Sequence, residues 1–137
     1  MRLSRFFILS FFALSGAACT VTKPVSTATE LKRVHFDFDQ ASLSVDMMRV
    51  LDGNAQYLKK HTNLNVVVEG HCDERGTNEY NLALGDRRAN TTRRYLEGKG
   101  IMGSRMRTVS YGEEQPLERG HNESAWYMNR RAEFVRQ

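Results

Sequence analysis

Between Leu64 and Gly98 the chain passes from a β-branched run through a charged turn into a long amphipathic stretch, and that succession leaves few folds open. "LNVVVEG" (64–70) is short, apolar and bounded by turn signals, which predicts a central strand. Glu79 to Glu97 predicts a helix, with Thr77 or Asn78 as its N-cap and Gly98 or Gly100 as its stop. Leu82, Gly85, Ala89, Thr92 and Leu96 recur as one uncharged stripe, the face expected on the sheet, and Gly85 and Ala89 permit a close approach. A strand feeding a helix that must lie back over it specifies two packed layers.

The flanking segments extend this pattern. In "RVHFDFD" (33–39), Val34, Phe36 and Phe38 alternate with polar residues, a half-buried strand. Residues 42–63 place Met48, Leu51, Ala55 and Leu58 at helical spacing, with Ser44 as cap. "RMRTVSYG" (105–112) predicts a third strand, and "RRAEFVRQ" (130–137) a fourth after a short helical stretch near His121–Met128. Tyr111, Trp126 and Phe134 are expected in the core, and His61 and His121 on the surface. The fold class is α+β: a two-layer sandwich of a four-stranded mixed sheet with helices on one face, built on a βαβαβ core, in one domain over 33–137.

The other end of the chain reads differently. Two arginines in Met1–Arg5 precede the apolar run Phe6–Leu14 and "SGAAC", the pattern of a secretory signal peptide over 1–18. The run is far short of the roughly 20 residues that span a bilayer. Cys19 stands where a lipoprotein signal peptidase would leave the new N-terminus, after Ala17 and Ala18, although Gly16 occupies a position where Leu is usual. Lipidation of Cys19 is expected, with Thr20 favouring the outer membrane by analogy with enteric bacteria. The Thr/Ser-rich segment 20–32 completes a lipidated N-terminus and linker over 19–32, at most about 45 Å long when stretched. Removing Arg2 and Arg5 leaves 18 basic residues against 16 acidic ones, a net charge of +2, which lacks the dense basic face that a nucleic-acid partner needs.

The turn before the second helix carries the chemistry. Asn81 and Arg88 lie seven residues apart on one side of the helix, with Leu84 between them, in a row that flanks the packing stripe. Asp73 leaves the central strand facing the first turns of that helix. A carboxylate and a guanidinium on a shared groove complement a zwitterion: the guanidinium takes a carboxylate through two parallel hydrogen bonds, and Asp73 takes an ammonium. The residues alone allow the plainer alternative that Asp73 and Arg88 pair with each other, and that "DERGT" is a turn in which Gly76 supplies a positive φ. His35, His71, Cys72 and Asp73 lack the spacing of a metal site. A Cys72/His71 nucleophile is disfavoured because neighbours on a strand point to opposite faces. Cys72 is a lone thiol if Cys19 is acylated. No cofactor, metal or catalytic set is expected, hence no enzyme.

"VVVEGHCDERGTNEYNLALGDRRANTTRRYLEGKGI", with "HFDFD", "VSYGEEQP" and "NRRAEF" in order, closely resembles the OmpA-like C-terminal domain, specifically that of peptidoglycan-associated lipoproteins, over about 33–135. The resemblance implies an outer-membrane lipoprotein that binds peptidoglycan non-covalently through meso-diaminopimelate of the stem peptide and tethers the membrane to the wall. Its motifs imply that Asp73 takes the ammonium and Arg88 the carboxylate of that side chain. Asn81 and Leu84 belong to the same row, Asp37 lines the groove, and Thr77 and Phe38 support it. The resemblance also implies a periplasmic β-propeller partner of the Tol system, in cell envelope integrity and division. The alternative is a module that docks this partner on the same surface with weak or no wall binding. Cys72 departs from a usual Ala or Thr, Asn78 from a usual Pro, and the linker is shorter than usual. Because Arg88 is read as lying beside the stripe, Arg88→Ala is expected to abolish binding without unfolding the domain.

Overall fold

The computed structural model describes residues 30–137; the expected signal peptide, Cys19 and most of the linker lie outside the described residues. The elements run β1 (Val34–His35), α1 (Val45–Lys60), β2 (Val66–His71), α2 (Asn78–Gly98), β3 (Met106–Gly112), α3 (Glu123–Asn129) and β4 (Arg131–Arg136). They form one four-stranded sheet in the order β1-β4-β2-β3. β2 pairs parallel with β3 and antiparallel with β4, and β1 pairs antiparallel with β4, so the sheet is mixed and β2 is interior.

Side-chain alternation along β2 sends Val66 and Val68 into the helical layer, where they meet Leu51, Ala55 and Leu58 of α1 and Ala89 and Leu96 of α2. Ser44 caps α1 by accepting from the Met47 N–H, and Thr77 caps α2 by accepting from the Tyr80 N–H. Gly70 of β2 and Gly85 of α2 meet backbone to backbone: a Cβ on Gly70 would overlap the Gly85 carbonyl. Only glycine at both positions lets the helix start this close to the strand's end, and that contact sets where the first turns of α2 lie.

The structure departs from the sequence reading in several places. The first strand ends at His35 rather than running to Asp39; Phe36 N–H still donates to Arg130 O, and the chain then turns at Asp37–Gln40. Asp39 there takes the left-handed region with φ 56°, which a strand cannot contain. Contacts with the core begin before Arg33: Leu31 packs against it, and the Lys32 backbone exchanges hydrogen bonds with the Asn54 amide at 2.9 and 2.7 Å. Met48 is exposed, and Asn54 takes the buried position instead. The stripe of α2 is rotated in its first half, so that Leu82 is exposed while Leu84 and Arg88 are buried. There Gly85 sits directly on Gly70 of β2, while Arg88 reaches the Asp37–Gln40 turn and Asn81 the loop after β2. Tyr111 and Trp126 are only half-buried, and Phe134 packs at the core's margin.

Candidate functional site

At the C-terminal end of β2 a groove of about 380 Å³ opens between three segments. Phe38 and Asp39 come from the turn after β1, and Asp73 and Arg75 from the loop after β2. Tyr80, Asn81, Leu84 and Arg88 come from the first turns of α2.

Arg88 is wholly buried, not at a boundary as its place beside the stripe suggested. Its Nε donates to Gln40 O (2.8 Å), Nη1 to His71 O (2.8 Å) and Nη2 to Asp37 O (3.1 Å). The side chain therefore staples the Asp37–Gln40 turn to the end of β2. One N–H on each terminal nitrogen remains beyond these bonds, on a side chain that lines the groove. Burial lowers its pKa, opposed by the nearby Cys72 and Asp73.

Asp73 is 4% exposed and does not pair with Arg88. One oxygen accepts from the Arg75 N–H (3.0 Å) and Nε (3.2 Å), the other from Arg75 Nη2 (2.8 Å) and, behind it, Arg130 Nη1 (3.4 Å). Burial pushes the Asp73 carboxyl up, but the hydrogen bonds and charge of Arg75 with the bond from Arg130 outweigh it and hold the group below its ordinary value.

Arg75 went unremarked in the sequence, where "DERGT" read as a bland turn. Its guanidinium lies 3.9 Å from the Phe38 ring centroid and 4.1 Å from that of Trp126, so it is stacked between two aromatic faces while gripping Asp73. This explains why Trp126 is not in the core: it walls Arg75, and its Nε1 donates to Glu74 (2.9 Å). The i, i+2 spacing of Asp73 and Arg75 around an Asx-type turn was the available signal.

The remaining predicted residues divide. Asn81 is buried and donates to Asp73 O (3.3 Å) and Arg75 O (3.0 Å), which pins the loop to the helix. Leu84 supplies apolar floor, Thr77 is the N-cap at the groove's edge, and Phe38 is 55% exposed on its rim. Gly76 has φ 102°, as its turn requires. Asp37 is not brought into the groove: its carbonyl receives Arg88, but the residue lines a separate small pocket with Ser44, Asp46 and Tyr127. Asp39 takes its place on the wall, its carboxylate accepting from the Tyr80 hydroxyl. The resemblance had assigned Asp37 to this wall, and the turn with its left-handed Asp39 presents Asp39 there instead.

Cys72 is a free buried thiol that donates to Asn81 O (3.2 Å); burial pushes its pKa up to about 11, against the pull of Arg88, so it stays protonated and unreactive. His71 points to the opposite sheet face, stacks on Tyr111 with ring centroids 5.5 Å apart, and is lowered to about 4 by burial first and by Arg131 second. No cluster of three His, Cys, Asp or Glu among the described residues is arranged to hold a metal.

Known proteins share both the sequence and the frame. A profile of the OmpA family matches residues 35–130. The peptidoglycan-associated lipoprotein of Rhizobium meliloti (strain 1021) is 48% identical over 121 residues, 88% of this chain and 69% of that one. That of Haemophilus influenzae is 48% identical over 99 residues, 72% and 65% of the two chains. The crystal structure of the peptidoglycan-associated lipoprotein from Burkholderia pseudomallei is similar with a TM-score of 0.76 at 43% identity, covering 85% of this chain and 98% of that one. The C-terminal domain of Helicobacter pylori MotB, at 19% identity and a TM-score of 0.73 over 79% and 85% of the chains, shares the fold alone. The chain belongs to the OmpA family, within its peptidoglycan-associated lipoproteins.

Proposed function

We propose that the groove captures the free amino-acid end of meso-diaminopimelate in the peptidoglycan stem peptide and so tethers the protein non-covalently to the cell wall. The observation that carries this is that a buried carboxylate, Asp73, and a buried guanidinium, Arg88, line one groove without bonding each other, over an apolar floor at Leu84. An ammonium takes Asp73, and a carboxylate takes the remaining donors of Arg88. The ammonium has a competitor in place, because Arg75 already holds both Asp73 oxygens. Arg75 is a third exposed and lies on a solvent-facing stack, so it is the group that yields.

Acylation of Cys19 would complete the tether by holding the chain in the outer membrane, with the groove on the periplasmic side. A second role is favoured by the rim: Phe38 and Tyr80 are 55% and 46% exposed at the groove mouth. A periplasmic partner such as a Tol β-propeller protein that covered them would compete with wall binding.

Calorimetric titration of residues 20–137 with a meso-diaminopimelate stem peptide and its lysine counterpart tests the reading. Heat of binding with the first alone is expected, since lysine ends in an ammonium without the second carboxylate. Equal binding of both would remove the role given to Arg88, and binding of neither would leave partner docking as the use of the groove.

A further inference from the structure

The charges of this domain are sorted by end. α1 and α2 both begin beside the groove and end away from it; β2 and β3 run toward the groove, and β4 runs away. The end opposite the groove therefore gathers the last turns of both long helices and the starts of β2 and β3. Lys59, Lys60, Arg94 and Arg107 stand there exposed, with no ion pair or side-chain hydrogen bond to any described residue. The nearby acids Asp52 and Glu97 are already bonded to Lys99 and Arg93, each at 3.0 Å. At the other end, Glu74, Glu113, Glu114 and Glu118 line a cleft next to the groove together with Arg119 and His121, and Glu123 pairs with Arg130.

Helix capping does not account for these cations. Arg105 donates to Leu58 O (2.9 Å) in the last turn of α1 and to His61 O (2.7 Å) and Leu64 O (2.8 Å) just after it, while the Lys59 and Lys60 side chains make no such bond. Met102, in the turn that follows α2, is 68% exposed at the same end, the largest exposure among the big apolar side chains of the described residues. Free cations around an exposed apolar tip suit the headgroup layer of an anionic bilayer, where the charges meet phosphates and the tip meets the acyl boundary. The chain also enters from this side. β1 is antiparallel to β4 with Val34 opposite Ala132, so the residues before Val34 run back along β4 toward the basic end.

We propose that the basic end docks on an anionic lipid surface, its four free cations taking headgroup phosphates, with the groove turned away from the membrane. The acidic groove end is repelled by the same surface, so one orientation is selected. This goes beyond the wall-binding reading and uses none of its residues.

The test is co-sedimentation of residues 20–137, which carry the whole described core and no acylated cysteine, with vesicles. Binding is expected to phosphatidylglycerol–phosphatidylethanolamine vesicles, to weaken with added salt, and to be absent with phosphatidylcholine vesicles. At roughly fivefold per cation, K59Q/K60Q/R94Q should lower partitioning on the order of a hundredfold. Asp73→Asn should leave it unchanged, which separates this contact from the groove. Should the triple variant melt early, Arg107→Glu alone replaces it and should still weaken binding by more than roughly fivefold. Equal binding to phosphatidylcholine, no binding at all, or full binding by the variants would overturn the proposal. So would indifference to vesicles with loss of binding to isolated sacculi in the variants, which would make the basic end a site for anionic wall polymer.

Discussion

The helix wall and the loop wall of the groove each present an arginine to the same small volume, yet the two are held in different ways. Arg88, on α2, is wholly buried and spends its donors on three backbone carbonyls from two other segments. Arg75, on the loop, is 31% exposed at its side chain and spends its donors on one carboxylate. Removing Arg88 empties a wholly buried site and strands the buried His71 carbonyl, whereas removing Arg75 exposes a carboxylate that water or a ligand can take over. One wall is structural and the other exchangeable, although both arginines line the same ligand space.

The sharpest way to break this comparison is Arg88→Ala. Three hydrogen bonds from a charged donor would be lost, one of them to the buried His71 carbonyl, so a loss of about 3 kcal/mol or more is expected by urea titration, with the Asp37–Gln40 turn released. This replaces the sequence-based expectation that the variant keeps its fold and loses only binding. An unchanged denaturation midpoint would return Arg88 to the exchangeable class.

Acid titration comes next in size. The folded-state pKa of His71 is depressed to about 4 from 6.5, so its stabilisation is complete above pH 6.5 and is lost as pH falls through about 4. Asp73 is also depressed, from 3.8, so its contribution is full above that value and fades only at lower pH. Stability should therefore fall by up to a few kcal/mol between pH 6.5 and 4, then fall again below it. His71→Phe should flatten the first limb and Asp73→Asn the second; a profile that Asp73→Asn leaves unaltered below pH 4 would mean that the Arg75 contact contributes nothing in solution.

The smallest expected effect on stability is that of Arg75→Gln. A partly exposed ion pair is worth about 0–1 kcal/mol, and the stack on Phe38 and Trp126 adds about as much. Affinity for the stem peptide should rise several-fold, since the competitor for Asp73 is gone. Trp126 is the only tryptophan in the chain, so its emission reports the stack directly. Ligand should shift that emission in the native protein and not in the variant. A fall in affinity would show instead that Arg75 binds the ligand.

The contrast between the arginines also marks where sequence reading stops. Periodicity found both long helices, with Ser44 as one cap and Thr77 one of two candidates for the other, and the three longer strands; spacing singled out Asp73, Asn81, Leu84 and Arg88, and the family resemblance added Phe38 and Thr77, all of which line the groove. The resemblance put Asp37 on the groove and periodicity put Leu82 in the packing stripe, where the structure has neither, and both passed over Arg75, Asp39 and Tyr80. Each of these errors lies where a turn interrupts a regular period. Asp39 breaks strand alternation by its left-handed φ, and the Gly70–Gly85 contact brings the start of α2 down onto the end of the sheet, where Arg88 meets that turn.

By itself the sequence determined the layers, the family and the side chains that gather around the end of β2, because hydrophobic period, caps and motif spacing are local properties that survive without coordinates. Only the tertiary structure decided what those side chains bond to. Whether an arginine staples the fold or waits on a ligand depends on which carbonyls and carboxylates come within about 3 Å of it. For Arg88 those acceptors arrive from as far as 51 residues away along the chain, a distance that no sequence window spans.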